Sequence, residues 1–336
     1  MRQQEEKMIN PAAGAIVMAI GIFLYGAGDQ FFPHGEWLAF GYLLLSIIIY
    51  AMILRQSFQK GFWKPFLNNP VNSFVTGSWI AGLSILSQVL LKYLPALDKV
   101  VVSIAVINSL CWCFFLFLCA YNFKELWQRP MFNNTHGVIL LSTVATQSLV
   151  ILWGKLISTP SLFLIYSAIF LGLLLYVSGL LLILIRYLKK SWTLVEDWTN
   201  TNCIIHGALS ITGLAIVTTG VFTESFVLFF WLLVAALIVI VEGFEVVRAF
   251  SRVSAYGWKD GLFTYHVSQW SRNFTFGMFY AFTMIMLESP VYRTSFAEEQ
   301  EVVQMIWGWV VLTALVWELV LWIHRAYMDQ RRIPSS

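Results

Sequence analysis

The sequence predicts an all-α integral membrane protein, and three observations carry that prediction. Hydrophobic residues make up 59% of the 336 residues and charged ones only 12%, a balance far from that of water-soluble domains. Apolar runs of about 20 residues, the length a helix needs to cross a ~30 Å hydrocarbon core, recur from end to end between short polar islands. The alternating segments of about ten residues that mark a closed β-barrel are missing, so a helical bundle is what remains for satisfying every backbone group in lipid.

Reading the apolar runs against their polar breaks gives ten spans in a single transmembrane domain over 1–336. They fall at 11–28, 36–54, 72–94, 98–120, 133–156, 161–186, 203–223, 226–247, 267–287 and 302–324. Sixteen of the 21 lysines and arginines lie on the side shared by both termini, among them Arg2, Lys7, Arg55, Lys60, Arg129, Arg186, Lys189 and Arg332. Basic residues stay on the cytoplasmic side, so both termini are expected in the cytoplasm of a cell that carries the protein in its plasma or inner membrane. A rival reading takes the stretch ending Gly26-Ala27-Gly28 as a cleaved leader, which would leave nine spans and lose the agreement between charge and parity. The net charge of +3 comes from these islands and marks orientation in the bilayer; it is no signal for nucleic acid. Cys111, Cys113, Cys119 and Cys203 all fall in apolar runs without paired spacing, so neither a disulfide framework nor a zinc site is read. The polar stretch from Arg248 to His266 is the longest connection and suits an interfacial segment.

The odd-numbered spans open alike, with Asn10-Pro11, Asn69-Pro70, Asn133-Asn134, Asn200-Thr201-Asn202 and a less similar Gln269-Trp270-Ser271. Their starts recur at about 60 to 70 residues, the length of a two-helix hairpin, so five hairpins are the expected unit. Odd spans are rich in small and hydroxyl-bearing residues, including Thr76, Ser78, Thr143, Thr146, Ser210 and Thr212, whereas even spans are mostly Leu, Ile, Val and Phe. Large apolar side chains suit lipid; small ones let backbones approach closely or line a watery path. An inner ring of five odd helices inside five even ones, around a central pore, follows. Tight packing is the other use of small residues, but in the seventh span they cover most of the circumference, which favours a conduit.

No HExxH, GxSxG or phosphate-loop pattern is present and the spans hold few acids, bases or ligands, so no enzyme, cofactor or metal is expected. Arg272, near the start of the ninth span, either attracts anions to a pore mouth or pairs with an acid or the headgroups. His136, His206 and His266 each stand near the start of an inner helix. They either ring the inner mouth and add pH-dependent positive charge, sit as separate interfacial histidines, or serve as haem ligands. Phe274 and Phe276 point about 200° apart on a helix, so only one can close a central path by excluding water.

Several stretches resemble the tellurite-resistance/dicarboxylate transporter family, which includes slow anion channels. They are Asn10-Pro11 through Ile22, Asn69-Pro70 with Phe74 through Gly82, Val144 through Ser148, His206 through Ile211, and Trp270-Ser271 with Phe274 and Gly277-Met278. The resemblance implies ten helices as five hairpins, a pore lined by the odd helices, a homotrimer with one pore per protomer, and passage of anions without ATP. It also implies a phenylalanine gate, carried onto Phe274. Thr275 stands where the family often has proline and His206 where methionine is common. The expected function is therefore an anion channel or transporter for small inorganic or dicarboxylate anions. A proton-coupled C4-dicarboxylate carrier titrating through His206, and a non-transporting haem- or quinone-binding membrane subunit, are the alternatives.

Overall fold

The computed structural model describes residues 9–128, 134–158, 161–293 and 295–331, and every regular element among them is helical. The expected orientation markers Arg2, Lys7, Arg129 and Arg332, and the opening Asn133, lie outside the described residues. Ten principal helices run in chain order: α1 (Gly14–Tyr25), α2 (Glu36–Ser57), α3 (Gly77–Tyr93), α4 (Asp98–Gln128), α5 (Leu141–Leu156), α6 (Leu162–Lys189), α7 (Ile204–Thr219), α8 (Glu224–Leu262), α9 (Trp270–Glu288) and α10 (Ala297–Arg331).

Among the described residues, eight helical stretches are long and apolar enough to cross a membrane, and by that measure the chain is a multi-pass membrane protein. Two of the ten expected spans fall short of it. The first, Pro11–Tyr25, is apolar but shorter than the rest. The other is α9, whose first turn carries Ser271, Arg272 and Asn273 and so lowers its hydropathy. The even helices overrun their apolar stretches: α4, with 31 residues, is about 46 Å long at about 1.5 Å per residue. The polar stretch after Arg248 is likewise helical, with α8 continuing to Leu262 across a break at Gly257 (φ 76°), a backbone angle that costs glycine little.

The odd helices pack side by side in a closed order: α1 on α3, α3 on α5, α5 on α7, α7 on α9, and α9 back on α1. The even helices pack outside them, each against its predecessor in the chain, and α2, α4 and α6 also reach the next odd helix. The exposure follows the composition. In the most apolar stretches of α3, α5 and α7 the buried share is 78%, 89% and 94%, against 22–39% in the even helices, whose outward Leu, Ile, Val and Phe face the surroundings. Lipid tails are as apolar as these side chains, so helix association depends on close contact, and small residues supply it. Every contact in the ring has a glycine: a Cβ on Gly14 would press on Ser78, on Gly77 against Leu141, on Gly137 against the Thr201 carbonyl, on Gly207 against Thr275 and on Gly277 against Ile22. Gly137 meets backbone, which cannot swing aside as a side chain can. Gly137→Ala is therefore expected to cost at least about 1–3 kcal/mol by overpacking and to lower the thermal midpoint of the detergent-purified protein; an unchanged midpoint would mean that the α5–α7 contact is looser than described.

Candidate functional site

Each odd helix is entered through a 3-10 turn, at Pro11–Ala13, Phe74–Thr76, Gly137–Leu140, Asn200–Cys203 and Val267–Gln269, and these turns also touch one another in a closed order. Three of the five turns are capped by a side chain, and a fourth cap, Asn69, opens the short helix Pro70–Ser73 that leads into the Phe74–Thr76 turn. Asn10 Oδ1 accepts from the Ala12 N–H at 2.9 Å and Asn69 Oδ1 from the Val71 N–H at 3.0 Å. At the same place in the repeat, His266 Nδ1 accepts from the Ser268 N–H at 3.2 Å and His136 Nδ1 from the Val138 N–H at 3.5 Å. A ring nitrogen that accepts carries no proton, so both imidazoles hold theirs on Nε2.

The five entries enclose a cavity of ≈ 170 Å³. All five odd helices contribute to its wall: Ala15 and Met18, Ser78, Leu141 with His136, Ile204 with Thr201, and Ser271 with Phe274. Met18, Leu141, Ile204 and Phe274 give it apolar surface, and Phe274 is wholly buried. None of the lining residues is Asp, Glu, Lys or Arg. Its electrostatics come instead from five helix N-termini, each with the equivalent of about half a positive charge, and from the polar side chains that cap them. Such a site favours anions, and favours weakly charged ones because no formal cation offsets the desolvation of a doubly charged guest.

Burial, with the nearby Arg186 guanidinium as a second cause, pushes the His136 imidazole down to about 4. It is neutral at pH 7, which corrects the expectation that it adds pH-dependent positive charge to this mouth. The sign for stability follows. Between pH 6.5 and 4 the unfolded chain binds a proton that the folded one refuses, so His136's contribution is complete above 6.5 and is lost as pH falls through that window. His136→Asn keeps a cap acceptor, as Asn10 and Asn69 do. The variant should lose less thermal stability than the wild type between pH 7 and 5; parallel pH curves would count against the assignment.

The hydroxyls expected to line a passage are mostly turned into the wall. Thr76 donates to the Ser73 carbonyl just before its own turn, and Ser210 to His206 and Thr212 to Ala208 within α7. Thr143 donates to Gly172 of α6, while Thr146 donates to Ser142 and accepts from Trp112 of α4, so both face the outer layer. A buried hydroxyl in apolar surroundings takes the nearest carbonyl, usually one turn back. Of this set only Ser78 lines the cavity, and its hydroxyl also donates to a carbonyl, that of Val75.

Arg272 and His206 likewise point outward. Arg272 Nε lies 3.2 Å from Glu242 Oε2 and Nη2 lies 2.8 Å from Glu245 Oε2, both on α8. His206 Nε2 stands 3.1 Å from Glu242 Oε1, and Arg248 Nη1 reaches Glu245 Oε2 at 3.3 Å. Two guanidiniums thus meet two carboxylates, and no net charge is left to attract anions. The pairing corrects the expectation of Arg272 as an anion attractor, and the outward placement corrects His206 as a pore-lining residue. Both instead tie α7 and α9 to α8.

Composition and motif gave no weight to the opposite end of the ring, where Tyr25, Lys92 and Lys155 converge from the last turns of α1, α3 and α5. The available signal was positional: a lysine one residue before the end of α3 and another in the same turn of α5. No protein-family model matches the chain, and no curated protein matches it.

Proposed function

We propose that the chain is a channel or uncoupled transporter for small anions, with its path along the axis of the five odd helices and closed in this conformation at Phe274. One observation carries the reading: a cavity with no formally charged wall, into which all five odd helices direct their entries. Helix N-termini that converge in this way stabilise an anion without binding it tightly, and conduction requires such weak holding. In this reading α1 and α9 also cross the membrane, between neighbours that shield them from lipid, which completes ten crossings as five hairpins. Both termini then lie in the cytoplasm of a plasma or inner membrane. The resemblance to the tellurite-resistance/dicarboxylate transporter family supports the same architecture and adds a homotrimer with one path per protomer.

The geometry favours small inorganic anions over a proton-coupled dicarboxylate carrier, because the proposed titrating group, His206, faces Glu242 and is not among the residues that line the cavity. Liposomes holding the purified protein test the choice. Downhill nitrate or chloride flux, with no uphill malate uptake under a pH gradient, is expected; uphill malate uptake would transfer the assignment to the coupled carrier.

A further inference from the structure

The far end of the ring holds a polar contact that the axial reading does not use. Lys155, in the last turn of α5, donates from Nζ to the Tyr25 hydroxyl at the end of α1, and Nζ stands 4.2 Å from the Tyr25 ring centroid. Helices α1 and α5 are not neighbours in the ring, for α3 stands between them. A bond between their ends therefore spans the end of the axis.

Lys92, one helix away, differs in its engagement. Its Nζ donates to the Leu24 and Tyr25 carbonyls at 3.3 and 2.7 Å and meets Asp29 Oδ2 at 2.6 Å, which uses its three protons. Lys155 is exposed, and among the described residues its hydroxyl partner takes one proton of three. The helix C-termini at this end turn partial negative charge outward, and Glu288 adds a carboxylate near both Tyr25 and Lys155. An anion at this end therefore depends on the Lys155 ammonium.

We propose that Lys155 and Tyr25 form a second closure across the far end of the ring, and that the spare donors of Lys155 bind a small monovalent anion there. The closure rests on the axial path proposed above; the anion site does not. The two are separated by measuring chloride binding as well as flux. In purified protein, the broadening of the ³⁵Cl resonance should fall about twofold in Lys155→Gln, one of two anion-collecting ends being lost, and return in Lys155→Arg. In liposomes, Tyr25→Phe should raise chloride flux at least about threefold when Phe274→Ala has removed the larger resistance, and change it little in the wild type. Unaltered broadening in Lys155→Gln overturns the anion site whatever the flux. Flux through Phe274→Ala that Tyr25→Phe leaves unchanged overturns the closure. Normal loss of broadening without flux in any variant supports the anion site and removes the conduit.

Discussion

Phe274→Ala is expected to raise anion flux through reconstituted protein at least about tenfold, equivalent to about 1.4 kcal/mol off the barrier. The ring of Phe274 is wholly buried in the wall of the entry cavity, beside Met18, Leu141 and Ile204. An apolar constriction blocks ions by excluding the water they need to carry with them, so its removal matters more than its small volume implies. The same substitution creates a cavity, at a stability cost of about 3–5 kcal/mol, and the milder Phe274→Leu provides a folded intermediate. Flux should rise in the order Phe, Leu, Ala. A folded alanine variant with wild-type flux would remove Phe274 as the gate.

The second large effect belongs to Arg272. Arg272→Gln leaves Glu242 and Glu245 without their shared cation in a partly buried site, and breaking such a pair costs about 3–5 kcal/mol. The variant should purify poorly or unfold early. Adding Glu242→Gln should recover much of the loss, because Arg248 still faces Glu245 at 3.3 Å and the surplus charge is gone. The rescued double variant also separates the two roles weighed for Arg272. Placed in the Phe274→Ala background, it should conduct as that variant does, because a neutralised cluster outside the cavity adds nothing to the anion's energy. A steep fall in flux with normal stability would return Arg272 to the path.

Much of this architecture is legible in the sequence, and the reasons are physical. The division into small-residue and large-residue helices is a solubility pattern: Leu, Ile and Phe can face lipid, whereas Gly14, Gly77, Gly137, Gly207 and Gly277 are needed where backbones touch. The Asn10 and Asn69 openings encode caps, and caps mark helix entries. Side-chain direction was less legible. Thr143 and Thr146 sit on an inner helix yet face α6 and α4, because hydroxyl content does not reveal which neighbour offers a carbonyl. Arg272 reads as a lone charge until Glu242 and Glu245, some thirty positions earlier on another helix, are brought beside it. Lys92 and Lys155 stand near the ends of the third and fifth expected spans, and only the closed order of the helices shows that the Lys155 contact joins two helices that are not neighbours.

The most direct measurement places a thiol in the cavity wall. Ser271→Cys, in the Phe274→Ala background with Cys111→Ala and Cys113→Ala to clear the exposed native thiols, adds a target inside the cavity. Treatment with a charged methanethiosulfonate should bring anion flux down to that of empty liposomes, and a reducing agent should restore it. Full modification of Ser271→Cys with flux unchanged would show that anions do not pass between these five helices.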